Sequence, residues 1–64
     1  MEKRVWIYCY LENGGSVKLT EMENGSFEVL RVIGGILRTY RFYSLETARN
    51  LVQRTVEMYD WGRK

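Results

Sequence analysis

The sequence has no histidine, a single cysteine and no apolar run approaching the length of a membrane span. Each absence closes a route. Without histidine, the residue most often used for general acid–base work is missing. The lone thiol, Cys9, permits no internal disulfide, and among scattered carboxylates it makes no zinc site. The opening Met-Glu-Lys-Arg-Val-Trp lacks the apolar stretch of a signal peptide, which together with a free cysteine leads us to expect a cytoplasmic protein. Charge of one sign is scarce as well. Ten Lys and Arg against eight Asp and Glu leave +2, which is mildly basic and no nucleic-acid signature by itself.

Sixty-four residues make one domain, spanning 1–64. A chain of this size buries only about 60% of the surface its unfolded form exposes, and small folds usually add a disulfide, a metal or a second subunit. The first two are closed here, so a homodimer is expected, two-fold pairing being the commonest closed assembly.

What is abundant is glycine between runs of β-branched and aromatic residues. Asn13-Gly14-Gly15, Asn24-Gly25 and Gly34-Gly35 read as hairpin turns. They separate four strands at about 4–11, 16–23, 26–33 and 36–43, too closely spaced for any crossover helix. A helix follows at about 45–60, with Ser44 as its N-cap, Glu46 in the first turn and Gly62 past the end. Its apolar stripe is Leu45, Ala48, Val52, Thr55, Val56 and Tyr59, flanked by Leu51 and Met58 and opposed by polar residues including Asp60. The fold class is therefore α+β: a four-stranded antiparallel β-meander followed by one C-terminal amphipathic helix, ββββα.

Turn length predicts register. A three-residue first turn and two-residue second and third turns put Leu11 opposite Val17, Cys9 opposite Leu19 and Leu19 opposite Leu30. One face would then be aliphatic (Ile7, Cys9, Leu11, Val17, Leu19, Leu30, Val32, Leu37), with Glu21, Glu28 and Arg41 in a row near one end. The other would be aromatic and basic, in rows Trp6–Met22–Phe27–Phe42, Tyr8–Thr20–Val29–Tyr40 and Tyr10–Lys18–Arg31–Arg38. The helix is expected on the aliphatic face.

Catalysis finds little support. Cys9 alternates with aliphatic residues as an inert core thiol does, and Glu21 beside Glu28 and Arg41 reads as a charge-compensated cluster. No glycine run forms a phosphate loop at a helix start. No enzyme activity, cofactor, metal or small-molecule substrate is expected, and no membrane contact. The function expected first is single-stranded nucleic-acid binding, with Trp6, Tyr8, Tyr10 and Tyr40 stacking on bases and Lys18, Arg31 and Arg38 meeting phosphates. The alternative is a protein-binding regulator or inhibitor, such as a small phage anti-defence protein or an antitoxin, because Trp, Tyr and Arg also dominate protein hot spots.

The chain carries no family signature. In layout, four strands then a helix resemble the Whirly-type single-stranded DNA binders. The last three strands and helix, with Phe42, Ser44, Glu46 and Ala48 at the junction, are similar to the DNA-binding domains of phage integrases. Both resemblances imply nucleic acid as partner.

Overall fold

The computed structural model describes residues 2–11 and 14–61, of which 59–61 by their backbone alone. Four strands, β1 (Glu2–Tyr10), β2 (Ser16–Met22), β3 (Phe27–Ile33) and β4 (Ile36–Phe42), precede one helix, α1 (Leu45–Trp61). The strands lie side by side in chain order and every neighbouring pair is antiparallel. The ββββα meander expected from the glycine spacing is the fold. Asn13 of the first turn, the side chains of Tyr59 and Asp60, and Gly62 past the helix end fall outside what is described.

The turns differ in kind, and the difference sets the register. Gly34 and Gly35 both have positive φ, +60° and +80°, as a two-residue type I′ turn requires, and Ile33 pairs with Ile36 as expected. Asn24-Gly25 does not form that turn. Gly25 has φ +90°, but no residue other than glycine has positive φ among those described, so Asn24 supplies no left-handed residue. Instead the Asn24 side-chain oxygen accepts hydrogen bonds from the Ser26 amide (3.0 Å) and hydroxyl (2.7 Å). The hairpin closes one position earlier, with the Met22 amide donating to the Ser26 carbonyl at 2.8 Å. Three residues are enclosed rather than two, the geometry of a left-handed glycine ending a three-residue loop. At the first hairpin the Leu11 amide donates to the Gly15 carbonyl at 2.9 Å. The loop is three residues long as expected, but one position earlier in the chain.

Moving the first loop by one position slides the β1–β2 pairing by two residues, to Cys9↔Val17 and Ile7↔Leu19, which keeps Ile7, Tyr8, Cys9 and Tyr10 on their expected faces. The extra residue in the second turn has a larger consequence. Leu19 pairs with Val29 instead of Leu30, and Val17 with Arg31 instead of Val32. Because strand side chains alternate with period two, β3 and β4 are turned over relative to β1 and β2. This corrects the expected faces: the aliphatic and aromatic–basic sets are each split between the two sides of the sheet.

The helix covers the side carrying Ile7↔Leu19↔Val29↔Tyr40 and Cys9↔Val17↔Arg31↔Arg38. Val17, Leu19, Val29 and Ala48 are fully buried there, with Leu11 and Val52 nearly so, and Phe27, Tyr40, Phe42, Leu45 and Val56 pack around them. Ser44 caps α1: its carbonyl accepts from the Ala48 amide at 3.2 Å and its hydroxyl from the Thr47 amide at a long 3.5 Å. Thr55 enters the core without an orphaned hydroxyl, because Oγ1 donates to the Leu51 carbonyl at 2.8 Å. Met58, expected at the edge of the stripe, is exposed.

Candidate functional site

The uncovered face of the sheet reads in rows across the strands. They are Tyr10–Ser16–Val32–Leu37, then Tyr8–Lys18–Leu30–Thr39, then Val5–Thr20–Glu28–Arg41. Tyr10 is 83% exposed, Leu37 62%, Tyr8 55% and Val5 48%, while Leu30 and Val32 are half-buried among them. The Tyr8 and Tyr10 rings lean on each other, centroids 5.4 Å apart and tilted by 39°. Five of the eight residues in the first two rows are aromatic or aliphatic: Tyr8, Tyr10, Leu30, Val32 and Leu37.

Its charges cancel. Lys18 Nζ lies 3.6 Å from a Glu2 carboxylate oxygen, and Arg41 Nη2 donates to Glu28 Oε2 at 2.8 Å. Thr20, in the row between those of Lys18 and Met22, is 3% exposed although it faces away from the helix. The Glu28 hydrogen bond, ahead of its charge, raises the Arg41 pKa above its ordinary value. Two bases and two acids leave the uncovered face neutral.

The expected site residues are not assembled on one face. Tyr8, Tyr10 and Lys18 share the uncovered side. Arg31, Arg38 and Tyr40 are on the helix side, with the Arg31 guanidinium 5.4 Å above the Tyr40 ring. Trp6 belongs to neither row. β1 is irregular between Val5 and Ile7, a bulge that takes Trp6 out of the ladder. Its indole Nε1 donates to Glu21 Oε1 at 3.0 Å, and the Arg4 guanidinium sits 4.8 Å over its ring. That bond is the largest cause of a Glu21 pKa held below the ordinary 4.5, with Lys3, 3.4 Å away, adding to it.

The cluster of Glu21, Glu28 and Arg41 is also corrected. Glu21 pairs with Phe27 and Glu28 with Thr20, so the two carboxylates occupy opposite faces, and only Arg41 stays beside Glu28. Cys9 is half-buried against the core. Among the described residues no group of three histidine, cysteine or acidic side chains is placed to hold a metal ion, and no helix is long and apolar enough to cross a membrane.

Sequence reasoning missed the uncovered set Leu30, Val32, Leu37 and Thr39, because it assigned their strands the opposite orientation. The signal that would have found them is Asn24: Asn-x-Ser offers a side-chain cap for Ser26 that a type I′ turn does not use. With this geometry established, comparison with known proteins adds no relative: no family model matches the chain, and no curated protein or solved structure is significantly similar to it.

Proposed function

We propose that the chain is a non-enzymatic protein-binding module that works as a homodimer, with the uncovered sheet faces of two copies stacked on each other. The observation that carries this reading is the patch of Tyr8, Tyr10, Val32 and Leu37 in two adjacent rows, uncovered on a neutral face. A face of one sign would repel its own copy, whereas this one holds Lys18–Glu2 and Arg41–Glu28 as internal pairs. Sheets stacked face to face at about 10 Å with interdigitated side chains form the core of every β-sandwich, so a second copy converts an open sheet into a closed one. Four strands of seven to nine residues present a face of roughly 23 by 19 Å, on the order of 400 Å² in projection. A standard interface covers about 800 Å² of accessible surface per partner, which places this dimer at the small, dissociable end.

The absence of catalysis in this proposal draws support from the separation of Glu21 and Glu28 and from the partners each already has. A second reading keeps single-stranded nucleic acid on the same face, favoured by the tilted Tyr8–Tyr10 pair beside Lys18. It is the weaker reading because Lys18 is engaged by Glu2, and Glu2 and Glu28 would face the phosphates.

Light scattering across a dilution series tests the proposal. The expected result is a monomer–dimer equilibrium that Leu37→Glu shifts to monomer without loss of helical circular dichroism. A wild-type monomer at all concentrations would overturn it. Binding of mixed-sequence oligonucleotides that weakens steeply with salt would favour the second reading.

A further inference from the structure

On the helix side, at the end of the β3–β4 hairpin, Arg31 and Arg38 stand directly opposite each other. Like charges in that position destabilise a sheet. The ion pairs join Lys3 to Glu21, Lys18 to Glu2 and Arg41 to Glu28, so neither Arg31 nor Arg38 has a carboxylate among the described residues. Arg31 Nε is moreover buried with no hydrogen-bond acceptor among the described residues, and a buried donor left unpaired is a standing cost. The Tyr40 ring beneath its guanidinium fixes where the fork points. Arg31 and Arg38, with Ile33 and Ile36, line a cavity of about 170 Å³, and Ile36 is 60% exposed at its rim.

This lining selects a ligand class. Two guanidinium forks suit the planar, two-oxygen edge of a carboxylate. The other half of the wall is isoleucine, which suits an aliphatic side chain next to that carboxylate. A nucleobase would find the Tyr40 face on that side already occupied by Arg31. We infer that Arg31 and Arg38 clamp a carboxylate of an acidic, leucine- or isoleucine-flanked segment of a partner protein. The inference rests on the protein-binding reading above and places the partner on the side of the sheet that dimerisation leaves free.

Nuclear magnetic resonance of the arginine Nε–H groups tests it, with the peptide acetyl-Glu-Leu-Glu-Leu-Glu-amide as probe at low salt. The expected result is a saturable shift of the Arg31 and Arg38 signals. The peptide with glutamine in place of glutamate should give none, and Arg38→Gln, at an exposed position, should weaken the binding about tenfold. Leu37→Glu should abolish the dimer yet leave the peptide shifts intact, so a failed dimer and a failed clamp are distinguishable. Absence of a saturable shift would overturn the inference. So would the same shifts produced by a short single-stranded oligonucleotide and not by the peptide, which would assign the pair to phosphate.

Discussion

Both faces of this sheet carry large apolar side chains, and their fates are opposite. On the helix side Val17, Leu19 and Val29 are sealed, and on the other Tyr10 and Leu37 stand in the open. An apolar side chain on this sheet becomes core only where the helix covers it. One amphipathic helix has one apolar stripe and closes one face, so burial is concentrated on the helix side and the other face is left uncovered.

Paired truncations break this comparison most sharply. Leu19→Ala should cost about 2–5 kcal/mol in chemical denaturation, since it empties the centre of the core. That is much of the stability available to a small domain. Leu37→Ala, measured the same way on dilute protein, should stay within about 0.5 kcal/mol of wild type. Equal costs would mean that the uncovered face is also core.

The second turn offers a smaller effect. Gly25 has φ +90° and open space around a would-be Cβ, so Gly25→Ala should destabilise by about 1–2 kcal/mol through backbone strain alone. Asn24→Ala removes the acceptor that pins Ser26 and should cost about 1 kcal/mol. A stability gain from either would contradict the turn that orients β3.

The pH response is the smallest. The Trp6 indole holds the Glu21 carboxyl below its ordinary 4.5. Stability from this contact is complete above the unfolded carboxylate value and is lost as pH falls through the lower folded value. Trp6 fluorescence should titrate with a midpoint below 4.5, and Arg4→Gln and Lys3→Gln together should move it upward. A midpoint at or above 4.5 would contradict the Trp6–Glu21 bond.

The fold was legible in the sequence because glycine placed every turn and Ser44 placed the helix start. The pairing within β3–β4 was legible for the same reason: Gly34-Gly35 allows positive φ at both positions, and only one register follows. Orientation of that hairpin was not legible from alternation. β3 puts Phe27, Val29 and Ile33 on one side and Leu30 and Val32 on the other, so either orientation buries aliphatic surface. The choice falls to whether Asn24 bends its own backbone into the left-handed region or uses its side chain to hold Ser26, a matter of a few hydrogen bonds in one loop. Tyr8, Tyr10 and Lys18 were therefore placed together, while Arg31, Arg38 and Tyr40 were joined to them across what is in fact the thickness of the sheet. Trp6 escaped for a different reason, since a bulge in an edge strand leaves little trace in side-chain alternation.

The central claim is that the uncovered face docks a second copy, and thiol labelling on that face tests this most directly. In a Cys9→Ser background, Leu37→Cys places the thiol in the row of Tyr10, Ser16 and Val32. The account predicts fast labelling in dilute protein, slowing as concentration rises, with the slowing abolished by Tyr8→Glu. A labelling rate that stays the same from dilute to concentrated protein would contradict it.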